Sequence, residues 1–199
     1  RVGSSRQIVA LRSGSMQLIV LESDGFRVAS ETKTRGRAAL AFAAHPHEPL
    51  FAYGDNSGTI HLHEMGTDDF GPARKVDELK YKVSRLEFID NGQGLLAGGM
   101  GYLNYYRLEK KKYARIASLS TAVRNFHWST SRRVIVVNQG MHGVTLVSLS
   151  EASSLDVIHR IDPDFILPVN LLAVDSRMEF MAVAADHALS VGLYKIEGH

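Results

Sequence analysis

Along most of this chain apolar and polar positions alternate in short runs broken by turns, the period-two pattern of half-buried strands. Ala39-Leu40-Ala41-Phe42 is one such run. His45-Pro46-His47-Glu48-Pro49 ends it, because proline cannot donate a ladder hydrogen bond. Leu50–Gly54 reads as the next strand, Asp55-Asn56-Ser57-Gly58 as a tight turn, and Thr59–His63 as a third strand. A polar, glycine-containing stretch leads to a fourth strand near Arg74–Leu79. No segment carries a 3.6-residue stripe, so the pattern predicts an all-β chain.

The same order recurs. Strands are predicted at Val83–Ile89, Gly94–Gly98, Tyr102–Leu108 and Tyr113–Leu119, then at Val123–Trp128, Val134–Asn138, Val144–Leu149 and Leu155–Ile161. Pro168–Val174, Phe180–Ala184 and Leu189–Ile196 follow. Before Arg37, Ile8–Leu11, Gln17–Leu21 and Phe26–Ser30 match the second, third and fourth strands of the unit. Four apolar-x-apolar triplets mark the units: Leu40-Ala41-Phe42, Leu86-Glu87-Phe88, Phe126-His127-Trp128 and Leu172-Ala173-Val174. Their third members lie 46, 40 and 46 positions apart. A period of about 40–45 residues built from short strands is that of a propeller blade.

Phe42-Ala43-Ala44-His45-Pro46, followed by Pro49–Leu62, resembles a repeat of the WD-repeat β-propeller family. The likeness covers nearly the whole chain as a pattern, with this copy the clearest. His63-Glu64 stands where that family usually has Trp-Asp, and Ser57 where it has a turn Asp, so the family's side-chain network is expected to be missing from these degenerate blades. The resemblance implies about four to five four-stranded blades across residues 1–199, in a ring left incomplete. A partial blade would occupy residues 1–36, with blades at about 37–80, 81–120 and 121–165 and a partial blade at 166–199. Seven blades at this period need roughly 280–320 residues, so the chain reads as a fragment of a longer polypeptide. The implied role is a non-catalytic scaffold that docks other proteins, subunits of a larger assembly.

Composition narrows the chemistry. The chain has no cysteine, which removes disulfides and thiolate chemistry. With 23 basic and 21 acidic side chains, it lacks the basic excess typical of nucleic-acid binders. No apolar run approaches the roughly 18–20 residues that cross a bilayer. Membrane insertion is therefore not expected, and the N-terminus has no signal-peptide pattern, which suggests the cytoplasm or nucleus.

No catalytic constellation stands out, and the chain is not expected to be an enzyme or to need a cofactor or metal. His61 and His63 share a strand face, yet a zinc site needs at least a third protein ligand. His45 and His47 read as loop composition, and Asp55, Asp90, Asp164 and Asp175 as turn caps. Gly98-Gly99-Met100-Gly101 precedes a strand rather than a helix, so a hairpin is expected there and not a phosphate cradle. The candidate partner-binding residues are Tyr53, Phe70, Tyr106, Lys110, Lys111, Lys112, Arg124, Arg132 and Arg133. Two alternatives remain open. The lysine run with Tyr105, Tyr106 and Tyr113 would suit an RNA-associated propeller, and a channel site would suit a propeller hydrolase.

Overall fold

The computed structural model describes residues 6–11, 14–22, 24–34, 37–66, 69–161, 169–175, 177, 179–185 and 191–196. Among these residues, eighteen strands make five antiparallel sheets in chain order. The first sheet holds β1 (Arg6–Leu11), β2 (Ser15–Glu22) and β3 (Gly25–Lys33). The second holds β4 (Ala39–Ala44), β5 (Leu50–Asp55), β6 (Thr59–Met65) and β7 (Phe70–Glu78). The third is built from β8 (Val83–Ile89), β9 (Gly94–Gly99), β10 (Tyr102–Glu109) and β11 (Lys112–Leu119). The fourth contains β12 (Asn125–Ser129), β13 (Val134–Asn138), β14 (Val144–Leu149) and β15 (Leu155–Ile161). The fifth has β16 (Val169–Val174), β17 (Phe180–Ala185) and β18 (Gly192–Lys195).

Within each sheet, strands that follow one another in sequence lie side by side. This is the blade pattern of a β-propeller, and among the described residues the ring is not closed. No helix of the described residues is long and apolar enough to cross a membrane. Asp164 and the turn beyond Ala185 that the sequence suggested lie outside the described residues.

The sheets bury apolar faces against each other. Ala52, Ile60 and Leu62 of the second sheet meet Leu86, Leu95 and Ala97 of the third. Leu96, Leu103 and Tyr105 of the third meet Phe126, Ile135 and Val137 of the fourth. Val136, Val144 and Leu146 of the fourth meet Val169, Met181 and Val183 of the fifth. The first strands of neighbouring sheets come together, β4 beside β8 and β8 beside β12. Glycine makes the closest approaches possible. A Cβ at Gly54 would overlap Val83, and one at Gly98 would overlap Val123. In both places the backbone of a second strand closes onto a valine at, or two residues before, the start of the next sheet's first strand.

One sequence expectation needs correction. Phe88 pairs with Leu95, Trp128 with Ile135 and Val174 with Met181, each opposite the second residue of the following strand. In the second sheet Ala44 holds that place, opposite Phe51, whereas Phe42 pairs with Tyr53. The first triplet is therefore Phe42-Ala43-Ala44, two residues later than the alternation suggested. A two-residue slip keeps every side chain on its own face, so the pattern alone could not separate the two registers.

The turn network expected to be missing has a counterpart on Asp55, which is 1% exposed. Its Oδ1 accepts from the backbone N–H of Ser57 and Thr59, both at 2.9 Å, and from the Ser57 hydroxyl at 2.6 Å. Arg37 and His61 lie 3.8 and 3.6 Å from its Oδ2. Burial alone would raise the Asp55 carboxyl, but the donated hydrogen bonds outweigh it and hold the group below its ordinary value.

Candidate interaction surface

Strands β10 and β11 are joined by Lys110 and Lys111, whose φ values are 46° and 70°. Two successive left-handed residues define the two-residue hairpin turn whose twist suits flanking strands, a turn that normally uses Asn-Gly. Two lysines are strained there, because a Cβ crowds the carbonyl in that conformation. Glu109 and Lys112 face each other in the register below the turn. Lys110, Lys111 and Lys112 are all exposed.

Tyr113 anchors this hairpin. Its side chain is buried, and its hydroxyl donates to the Gly92 carbonyl. Burial, with the Glu48 carboxylate adding to it, pushes the phenol up to about 12. The Leu108 N–H donates to Gln93 O at 2.8 Å, tying the other strand down. Beside the hairpin a groove of about 420 Å³ runs along the seam between the second and third sheets. Leu50, Leu62, Met65 and Leu108 supply its apolar lining, Lys111 and Tyr113 line it from the hairpin, and Glu48 comes from the facing sheet. Glu64 and Arg74, also lining it, pair at 2.7 Å.

The remaining sequence candidates divide by burial. Tyr53 and Tyr106 are 4% and 1% exposed, which takes them out of reach of a partner. Tyr53 stacks on His61 at 4.6 Å. Tyr106 donates to Asp77 Oδ2 at 2.8 Å across the seam between the second and third sheets, and burial raises its phenol well above the ordinary value. Phe70 is half-buried, edge-on to Phe51 at 5.8 Å. Arg133 ties the third and fourth sheets, with Nη1 donating to the Asp90 carboxylate at 3.3 Å and the guanidinium over Trp128. Arg124 and Arg132 are exposed, and Arg132 Nη1 donates to Ile196 O at 3.5 Å. Tyr105 and Tyr113 are buried along with Tyr106, so these three rings present no open stacking platform.

The histidines serve packing. His63 Nδ1 donates to Gly71 O at 3.0 Å, and its ring stacks on Phe51 at 5.2 Å. His45 is buried, and its Nδ1 accepts the Glu48 N–H at 2.9 Å. Among the described residues no three His, Asp or Glu side chains gather as metal ligands would. Met100-Gly101 forms the hairpin expected between β9 and β10.

Two further features escaped the sequence reading. On β8, Arg85 Nη2 donates to Glu87 Oε2 at 3.4 Å. Burial raises the Glu87 carboxyl, against the opposing pull of Arg85 and of His127 on β12. Glu87 and His127 are the middle members of two repeat triplets, and a polar residue at that place was the available signal. A second groove, of about 510 Å³, lies between β15 and β18 and is bordered by His159, Arg160 and Lys195. Nothing in the sequence links residues so far apart. The same holds for Glu48 and Lys111.

No protein-family model matches the chain, and no curated protein matches it in sequence. Solved structures do share its fold. It is similar to the computationally designed Ika8 protein, with a TM-score of 0.75 at 14% identity over 98% of this chain and 57% of that one. A putative 6-phosphogluconolactonase from Bacteroides uniformis is similar with a TM-score of 0.74 at 13% identity, over 99% and 65% of the two chains. The WD40 β-propeller domain of Doa1 matches with a TM-score of 0.71 at 14% identity, over 96% and 62%. The chain thus spans 57% to 65% of the length of these structures. At such identities the likeness shows a propeller fold and nothing of function.

Proposed function

We propose that this chain is a WD-repeat-like propeller that docks other proteins within a larger assembly and performs no catalysis itself. The observation that carries the reading is the seam groove with its apolar lining and exposed lysine hairpin. Apolar surface beside fixed charge on a rigid frame is what a protein-docking site requires. The likeness to the WD40 domain of Doa1 supports the family half of the reading through fold alone. Cross-linking mass spectrometry on the native protein tests it. Reproducible cross-links from Lys110–Lys112 to another protein are expected, and a protein recovered alone with none would end the reading.

A second reading, hydrolysis at the inner strands, is favoured by the Arg85–Glu87 pair and by the lactonase neighbour. A half-buried carboxyl held above its usual range is suited to acid–base work. Turnover on a panel of lactones and esters that is abolished by Glu87→Gln would establish it in place of the scaffold. The RNA reading loses support, because Tyr105, Tyr106 and Tyr113 are buried.

A further inference from the structure

We propose that the outer face of the fifth sheet docks onto the free face of the first sheet of a second copy of this chain, head to tail. The inference goes beyond the docking reading above, because it concerns copies of the chain itself rather than another protein.

In each of three seams a sheet presents its second and third strands to the sheet that follows. Ala52 paired with Leu62, Leu96 with Tyr105 and Val136 with Leu146 hold one register place, a residue beyond Phe51, Leu95 and Ile135. All six are buried in the clusters shared with the next sheet. In the fifth sheet that place belongs to Ala182 and Leu193, a residue beyond Met181. Leu193 is 71% exposed. Leu171, paired with Ala184, and Phe180 share its side of the sheet, since alternate residues of a strand share a face, and both are exposed. Met181 and Val183 point the other way, into the cluster with the fourth sheet.

The first sheet shows the converse. Leu21 pairs with Phe26 as Met65, 44 residues later, pairs with Phe70. Met65 and Phe70 pack into the seam behind the second sheet, beside Met16 and Phe51. Phe26 is 72% exposed at the equivalent place, and Val28 on the same face is exposed as well. Met16 lies on the opposite side of the first sheet, where it meets the second.

Scattered apolar residues on a surface need no explanation, but a contiguous apolar sheet face marks an interaction site. The fifth-sheet face is of the kind that the chain covers three times, each time with the rear face of a neighbouring sheet. The first sheet carries such a rear face, and within one molecule the two stay apart because both are exposed. A second copy brings them together. The contact is heterologous, so each pair of copies keeps one face of each kind at its ends.

Sedimentation velocity of the full chain between about 1 μM and about 1 mM tests the proposal. The parent is expected to exceed monomer mass as its concentration rises. Leu193→Lys spoils the fifth-sheet face and Phe26→Asp the first-sheet face. Each alone should weaken association at least about tenfold while leaving the melting temperature unchanged, because both side chains are exposed. Leu171→Lys should repeat the loss from a second position on the fifth-sheet face. Mixed in equal amounts, the Leu193→Lys and Phe26→Asp proteins each keep the face that the other lacks, so the mixture should form a dimer and grow no further. A parent that stays monomeric throughout overturns the proposal, as does association that these variants leave unchanged. A mixture no larger than its separate components also overturns it, and that is the result unspecific apolar sticking would give.

Discussion

The seam between the first and second sheets and the seam between the third and fourth are built from different materials. Between the third and fourth sheets, twelve buried apolar residues interlock, aliphatic side chains around Phe126 and Trp128. Between the first and second, Met16, Phe51 and Tyr53 form the buried cluster among the described residues. The rest of that face on the second sheet is a stack in which His63 lies on Phe51 at 5.2 Å and His61 on Tyr53 at 4.6 Å. The apolar cluster between the third and fourth sheets draws its stability from area removed from water and holds no imidazole, with the Arg133–Asp90 pair beside it. A seam that buries the His63 imidazole depends on keeping that ring neutral. The same architecture therefore holds one joint whose buried cluster has no imidazole and one whose buried face is stacked with them.

Four experiments sharpen or break that contrast. Phe126→Ala empties the centre of the aliphatic seam and should cost about 3–5 kcal/mol in global unfolding by urea. A loss below about 1 kcal/mol would mean that this seam is not the main source of stability. Met16→Ala removes a fully buried side chain of the first sheet and should cost about 2 kcal/mol. Its effect should stay local. Hydrogen exchange should quicken in β2 and β3 while β12 to β14 remain protected, and uniform quickening would contradict the contrast.

Tyr106→Phe tests the intermediate case between the second and third sheets, where packing is aliphatic but one cross-seam hydrogen bond reaches Asp77. Losing it should cost about 1–2 kcal/mol, because Asp77 and Asn104 each lose a partner. An unchanged urea midpoint would show the bond to be redundant.

The smallest expected effect is a pH dependence. Burial holds His63 below its ordinary value, outweighing the Gly71 hydrogen bond that raises it. The unfolded chain therefore takes up the proton first, and stability should fall as pH drops below about 6.5. Asp55 acts separately. Its carboxyl is held low in the fold, so its contribution is lost only on acidification below about 3.9. Urea midpoints at pH 7.5 and 5.5 should converge in His63→Phe relative to the parent. An equal drop in both proteins would assign the acid sensitivity elsewhere.

Much of this was legible beforehand, for a plain reason. Val134–Asn138, Val144–Leu149 and Leu155–Ile161 are strands at the bounds that alternation and turn residues suggested. Each is a local pattern between local breakers. The lysine run was visible as well, because charge in a turn is a local feature. What escaped were relations across the seams. Tyr53 and Tyr106 looked like surface anchors, since an aromatic on a strand is equally suited to a core or to a partner until its facing sheet is placed. Glu48 and Lys111 share a groove that only packing creates.

Alternation by itself determined that the chain is β throughout, how its strands follow one another, and which residues share a face. Those properties depend on neighbours in sequence, and a strand puts alternate side chains on opposite sides whatever it pairs with. Tertiary structure alone decided that Ala44 rather than Phe42 aligns with Phe88, Trp128 and Val174. A shift of two residues conserves the pattern of faces, and only the hydrogen-bonded ladder and the close approach of Gly54 to Val83 distinguish one register from the other.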